Sequence, residues 1–232
     1  MPTVVQRRFD QPFPDLTDKS VLVTGGTGSF GQAFCRKLLS AAPPRRLAIF
    51  SRDEQKQNSM AQAMKVELPT LFDRLRFFIG DVRDTTRLEM AMRDVDYVVH
   101  AAAMKIVPTA EYNPFECVLT NIHGSENVVA AALRTSVTKV VSLSTDKAAS
   151  PANLYGATKL VSDKIMVSAN NLSGSSGARF AVVRYGNVIG SRGSVVCASG
   201  AARGSSITRK PSTTSRKASS ASRAWTSASR SS

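Results

Sequence analysis

Ser20-Val21-Leu22-Val23-Thr24-Gly25-Gly26-Thr27-Gly28-Ser29-Phe30-Gly31 decides the fold. A short β-branched run passes directly into Gly25-x-x-Gly28-x-x-Gly31, and a helical stretch follows. Gly25 suits the tight turn off a strand, Gly28 lets backbone approach a pyrophosphate, and Gly31 lets the following helix pack close to the sheet. The first amides of that helix then face the phosphates. Thr27, Ser29 and Phe30 complete the turn as candidate cofactor contacts. An ordinary glycine-rich turn shares the bare three-glycine pattern. The apolar strand before it and the helix after it favour a dinucleotide.

Outward from this turn, β-branched runs alternate with helical stretches. Residues 20–24, 46–50, 75–79, 96–100, 139–144 and 180–184 read as strands, with helices near 30–41, 53–66, 85–93, 114–135 and 153–170. Several strands are continuously apolar, as when both faces of a parallel sheet are covered. The alternation predicts an α/β fold of the doubly wound, Rossmann type. No internal repeat is visible. Residues 1–16 read as an N-terminal extension leading into the first strand, and 17–196 as the nucleotide-binding domain. Residues 197–232 are about a third serine, with Ile207 and Trp225 as the only large apolar side chains. Such a stretch buries too little surface to offset its ordering entropy, so it reads as a disordered Ser/Arg-rich tail.

The chain has 232 residues and a formal net charge of +14. The tail holds seven Lys or Arg and no acid, and removing those seven from +14 leaves +7. With no aromatic-interleaved basic stripe, nucleic-acid binding is not expected. Cys35, Cys117 and Cys197 are far apart, with neither metal-ligand spacing nor a disulfide framework, so no metal is expected and a cytoplasmic setting is the simplest. No apolar run reaches transmembrane length, so no membrane partner is expected.

Further candidates follow the strands. Ser51 and Arg52 end the second strand, where an acid would favour NAD; serine and arginine instead suit the 2′-phosphate of NADP, and Lys56 adds charge one turn on. The alternative is a solvated Arg52 with Asp53 capping the next helix. Asp81 could accept from the adenine amino group, with Val82 against the ring, while Asp84 could be a helix cap. Ala101 and Ala103 are small enough to let a cofactor pass. His100 lacks a second ligand at metal spacing and reads as packed or hydrogen-bonded. Tyr155 and Lys159 share one helix face at i, i+4. An ammonium there would lower the tyrosine pKa and fit it for proton exchange with a sugar hydroxyl. Asp146-Lys147 reads either as an acid and base on one loop or as a surface ion pair worth little.

The segments TGGTGSFG (24–31), FSRDEQKQ (50–57), RFFIGDVRD (76–84), HAAAMKIVPTAEYNP (100–114), LSTDKAASPANLYGATK (143–159) and VRYGNVIGSRGSVV (183–196) together resemble the extended short-chain dehydrogenase/reductase family. Within it they resemble the inverting UDP-N-acetylglucosamine 4,6-dehydratases of bacterial surface-sugar biosynthesis. The resemblance implies NADP as cofactor and a UDP-sugar as substrate. Tyr155 would serve with Lys159, which also bonds the nicotinamide ribose, and Thr145 would sit near the carbon 4 hydroxyl. Hydride would leave carbon 4 and return to carbon 6. Lys147 would remove the carbon 5 proton and Asp146 would help expel the carbon 6 hydroxyl as water. Reprotonation from the opposite face would invert carbon 5. Lys105, Tyr185 and Asn187 would touch substrate or nicotinamide, or be plain loop residues. A homo-oligomer is also implied. A UDP-sugar 4-epimerase and a catalytically silent NADP-binding module stay open as alternatives.

After Val196 the family pattern stops, and the smaller substrate domain expected there is not recognisable. Ser215-Arg216-Lys217-Ala218-Ser219, read one nucleotide out of frame, can encode an aliphatic residue followed by Glu-Glu-Gly-Val, which resembles the missing domain. A frameshift that replaced the substrate domain is therefore expected, with weak cofactor binding and impaired turnover as its result.

Overall fold

Six parallel strands form one sheet in the order β3-β2-β1-β4-β5-β6. They are β1 (Ser20–Thr24), β2 (Arg46–Ser51), β3 (Leu75–Ile79), β4 (Tyr97–His100), β5 (Lys139–Thr145) and β6 (Arg179–Tyr185). The computed structural model describes residues 14–174 and 177–187. Most of the expected N-terminal extension, the end of the nucleotide-binding domain and the whole Ser/Arg-rich tail lie outside the described residues.

Alternation along β1 builds both layers. Leu22 points to one face, where it packs with Phe50, Leu88, Met92, Val98, Val128, Val140 and Met166. Val21 and Val23 point to the other, with Leu47, Ile49, Cys35, Leu39, Met60 and Met64. Helices α1 (Ser29–Ala41) and α2 (Glu54–Glu67) supply the second cluster; α3 (Thr85–Ala91), α6 (Gly124–Leu133) and α7 (Leu154–Leu172) supply the first. Each fully buried Leu, Ile or Phe contributes about 1.5–3 kcal/mol. With apolar side chains needed on both faces, the central strands are continuously buried, which is why their sequence lacks polar alternation.

The strands and long helices match the sequence reading to within a residue or two. The expected helix 114–135 is in fact three pieces: α5 (Pro114–Val118), a π-helical turn over Leu119–His123, and α6. A further helix, α4 (Val107–Tyr112), and a 3-10 turn at Pro69–Arg74 were not expected. Both begin on or beside a proline, whose fixed φ starts a helix easily. They bury too few apolar residues to show a periodic pattern. β6 is less covered than its sequence suggested: Val183 is 48% and Tyr185 37% exposed. Cys35 and Cys117 are buried free thiols. Among the described residues, no helix is long and apolar enough to cross a membrane.

Candidate functional site

The crevice lies where β1 separates β2 from β4, the switch point at which doubly wound sheets open above their carboxyl ends. Gly25 turns off β1 at φ +66°, and a Cβ there would stand 2.7 Å from the Ala102 backbone nitrogen. A Cβ on Gly31 would collide with the Gly26 carbonyl. Both glycines are therefore required by the backbone itself, the first by conformation and the second by contact between helix and turn. The Thr24 hydroxyl locks the opposite wall, accepting from the Ala101 and Ala102 amides at 3.2 and 3.4 Å.

The cleft has a volume of about 560 Å3. Every residue read as a cofactor contact lines it, from Gly25, Thr27, Gly28, Ser29, Phe30 and Gly31 through Ser51, Arg52, Lys56, Asp81, Val82, Ala101, Ala103 and Lys105 to Tyr155 and Lys159. Tyr185 joins them from β6, and its ring stacks on Phe30 at 6.4 Å, so the first helix and last strand meet across the opening.

At the β2 end, Asp53 caps α2 by accepting from the Lys56 amide at 2.9 Å, and Asp84 caps α3 by accepting from the Arg87 amide. Arg52 keeps more than half its side chain in solvent while lining the cleft, 3.4 Å from Asp81. Asp81 lines the cleft and has protein partners of its own. Its carboxylate accepts from the Arg83 side chain, from the Arg83 amide and from Arg52, so it is engaged by two guanidiniums. These contacts outweigh its partial burial and hold its carboxyl below the usual range.

At the other end Tyr155, Thr145, Asp146 and Lys147, four of the residues read as catalytic, form one hydrogen-bonded run. The Tyr155 phenol bonds the Thr145 side chain. The Thr145 hydroxyl donates to Asp146 Oδ1 at 3.0 Å. Lys147 Nζ reaches Asp146 Oδ1 at 3.4 Å and Asn187 Oδ1 at 3.1 Å. Thr145, Asp146 and Lys147 sit at the end of β5 and in the 3-10 turn Asp146–Ala148. That turn packs on the start of α7, where a Cβ on Gly156 would meet the Lys147 carbonyl at 2.5 Å. The close approach is what brings Tyr155 to Thr145. The Thr145 hydroxyl, followed by the Lys147 contacts, holds Asp146 below the usual carboxylate range, so in this arrangement it is an ionised acceptor.

Tyr155 does not follow the expectation drawn from its spacing to Lys159. Burial raises its pKa, the bond from Thr145 only partly opposes that, and Tyr185 and Asp146 raise it further. Lys159 is itself 3% exposed. Burial pulls its ammonium down to about 8, with Asp163 acting against the loss. A shared helix face sets proximity, but burial of both groups decides the sign.

His100 is packed and hydrogen-bonded, as read. Its Nδ1 lies 2.8 Å from Thr24 Oγ1 and its Nε2 3.4 Å from Ser125 Oγ. Because Thr24 Oγ1 already accepts two amides, its proton goes to Nδ1, and Nε2 carries the ring hydrogen. Burial, then the nearby Lys159, push the ring down to about 3, so it is neutral. Ser125 Oγ donates to the Asn121 carbonyl at 2.7 Å and accepts from the Ser162 hydroxyl at 2.7 Å.

Sequence reasoning missed several cleft residues, among them Met104, Ile106, Thr120 and Ser144. It also missed Asn121, whose amide bonds both the amide and the carbonyl of Met104 and so fixes the loop after β4. The π turn is what presents Thr120 to the cleft and Asn121 to Met104, and no composition signal marks such a turn. The residues present fit a dinucleotide. The glycine turn leaves a cradle that side chains would fill, and Thr120 Oγ1 and Ser144 Oγ, both buried on the cleft wall, have no protein partner. Among the described residues no cluster of His, Cys, Asp and Glu could hold a metal.

Residues 21–208 match the profile of a family described as polysaccharide biosynthesis protein. The chain belongs to this family. It is 57% identical over 178 residues to a UDP-N-acetylglucosamine 4,6-dehydratase (inverting) of Campylobacter jejuni, covering 77% of this chain and 52% of that protein. It is 44% identical over 182 residues to a UDP-glucose 4-epimerase of Rickettsia rickettsii, with the same coverage. Among solved structures, Pen from Bacillus thuringiensis superposes with a TM-score of 0.74 at 44% identity, over 79% of this chain and 55% of that one. DesIV, a dTDP-glucose 4,6-dehydratase from Streptomyces venezuelae with NAD and TYD bound, gives 0.62 at 26% identity, over 71% and 55%. The chain thus spans about half the length of the relatives it matches.

Proposed function

We propose that this chain carries the nucleotide-binding and acid–base half of a C5-inverting, NADP-dependent UDP-N-acetylglucosamine 4,6-dehydratase of bacterial surface-glycan biosynthesis. The observation that carries the reading is the continuous run Tyr155–Thr145–Asp146–Lys147–Asn187 at the mouth of a glycine-turn cleft. NADP, when bound, would supply the redox chemistry, taking hydride from sugar carbon 4 and returning hydride to carbon 6. Tyr155 would take the carbon 4 hydroxyl proton, with Thr145 as its relay toward Asp146. Lys159 would bond the ribose and hold positive charge beside the phenol. Once carbon 4 is a ketone the carbon 5 proton is acidic, and Lys147 would remove it. Asp146 starts as a carboxylate, so it must first gain a proton, for which Tyr155 through Thr145 is a route, before it can protonate the departing carbon 6 hydroxyl. Lys105, Tyr185 and Asn187 would hold substrate. Ser51, Arg52 and Lys56 support NADP over NAD, because a 2′-phosphate would meet a hydroxyl and two cations, which it would share with their paired acids Asp81 and Asp53.

The Rickettsia relatives favour a second reading, a UDP-sugar 4-epimerase, in which Asp146 and Lys147 have no proton to move. Incubation with UDP-N-acetylglucosamine and NADP, followed by mass analysis of the nucleotide sugar, separates the two. The dehydratase reading requires loss of one water; a product of unchanged mass inverted at carbon 4 would overturn it. In the same assay we expect the 232 residues alone to turn over slowly. Substrate must be held in near-attack geometry, where misplacement by about 1 Å costs roughly 10²-fold. The frameshift proposed for 197–232 fails if no shifted frame of the gene restores the family pattern.

A further inference from the structure

We propose that Asp163 is a positioning residue for Lys159, its buried carboxylate keeping the lysine charged at the foot of the cleft while Arg184 engages its other oxygen. Asp163 lies one turn beyond Lys159 on α7, at the i, i+4 spacing that brings side chains together. Both are almost fully buried, at 4% and 3% exposure. Arg184 Nε, from β6, donates to Asp163 Oδ2 at 2.8 Å. Asp163 Oδ1 is buried with no hydrogen-bond partner. The neighbouring hydroxyl of Ser162 is spent on Ser125. A buried carboxylate with one oxygen unsatisfied is costly unless a second positive charge lies near it, and Lys159, one turn earlier on the same helix, feels its field without forming an ion-pair contact.

The other titratable groups around this pair do not substitute for it. His100 from β4 is neutral and opposes the lysine's charge when protonated. Tyr155 from α7 is a neutral phenol, and Cys117 from α5 faces Tyr155 and Thr158. Tyr185 faces Tyr155. Asp163 is therefore the group that offsets the desolvation of Lys159, while Arg184 engages its other oxygen.

The inference rests on reading Lys159 as the cofactor-side cation, but its test reads the amine itself. Competitive acetylation of the folded chain across pH 6–10, with peptide mass spectrometry, gives the protonation of Lys159 from its labelling rate. The wild-type rate should turn over near pH 8. Asp163→Asn, which keeps an oxygen for Arg184, should move that point down by one pH unit or more, raising labelling at pH 7 several-fold. Arg184→Gln leaves the carboxylate facing the lysine and should keep the point at or above the wild-type value. A merely structural defect would move both variants in the same direction. An unmoved inflection in folded Asp163→Asn overturns the proposal. If that variant does not fold, a lowered inflection in Arg184→Gln overturns it and an unlowered one supports it. NADPH titration beside these measurements separates the readings: absent binding with the predicted inflections counts against the cofactor role alone.

Discussion

Replacing Lys159 by methionine should make the protein more stable and its cleft inert. The ammonium is buried, and the fold lowers its pKa from 10.5 to about 8. Below pH 8 the amine is protonated in both folded and unfolded chains, so the fold bears the full penalty, about 3 kcal/mol at pH 7. Between pH 8 and 10.5 the folded lysine sheds its proton first, and the penalty shrinks to about 1 kcal/mol at pH 9.5. Methionine fills similar volume without the charge, and Arg184 continues to hold Asp163. Urea unfolding followed by circular dichroism at the two pH values measures the gap by linear extrapolation. Lys159→Met should exceed wild type by about 3 kcal/mol at pH 7 and by about 2 kcal/mol less at pH 9.5, while losing NADPH affinity. A gap independent of pH, or a wild type more stable at pH 7, would refute the reasoning. Stability given up for a buried charge is the usual mark of a site kept for chemistry.

Two further outcomes follow from the same geometry. Gly25→Ala forces a side chain into a left-handed backbone and against Ala102, so it should cost about 1–3 kcal/mol and abolish NADPH binding; undiminished fluorescence titration with NADPH would contradict this. His100 is held neutral, its value lowered from 6.5 to about 3, so its contribution is present above pH 6.5 and lost as pH falls toward 3. Wild type should lose about 3 kcal/mol through this ring by pH 4, and His100→Asn should show a correspondingly flatter fall in urea midpoints; parallel curves would sink it.

The sheet was legible because its central strands are buried on both faces and so carry unbroken apolar runs between turn residues. The glycine turn was legible because steric demand at Gly25 and Gly31 admits almost nothing else. The Asp53 and Asp84 caps were also readable, each three residues before the amide it holds. What escaped was set by tertiary contact. The π turn depends on Asn121 bonding Met104, seventeen residues away. The sign of the Tyr155 shift depends on burial that spacing does not encode. The cleft's unpartnered hydroxyls, on Thr120 and Ser144, are ordinary residues until the fold withdraws their neighbours.

The aromatic stack of Phe30 on Tyr185 joins positions made at opposite ends of synthesis. A ribosome must release β6 before that stack, the Arg184 clasp or the Asn187 contact can exist. The nascent polypeptide can therefore assemble five strands and a glycine cradle while the Tyr185 and Asn187 side of the cleft stays unfinished. Completion of the pocket is the last act of translation for this region, so a nascent intermediate gains the glycine turn before it gains the far wall of the cleft.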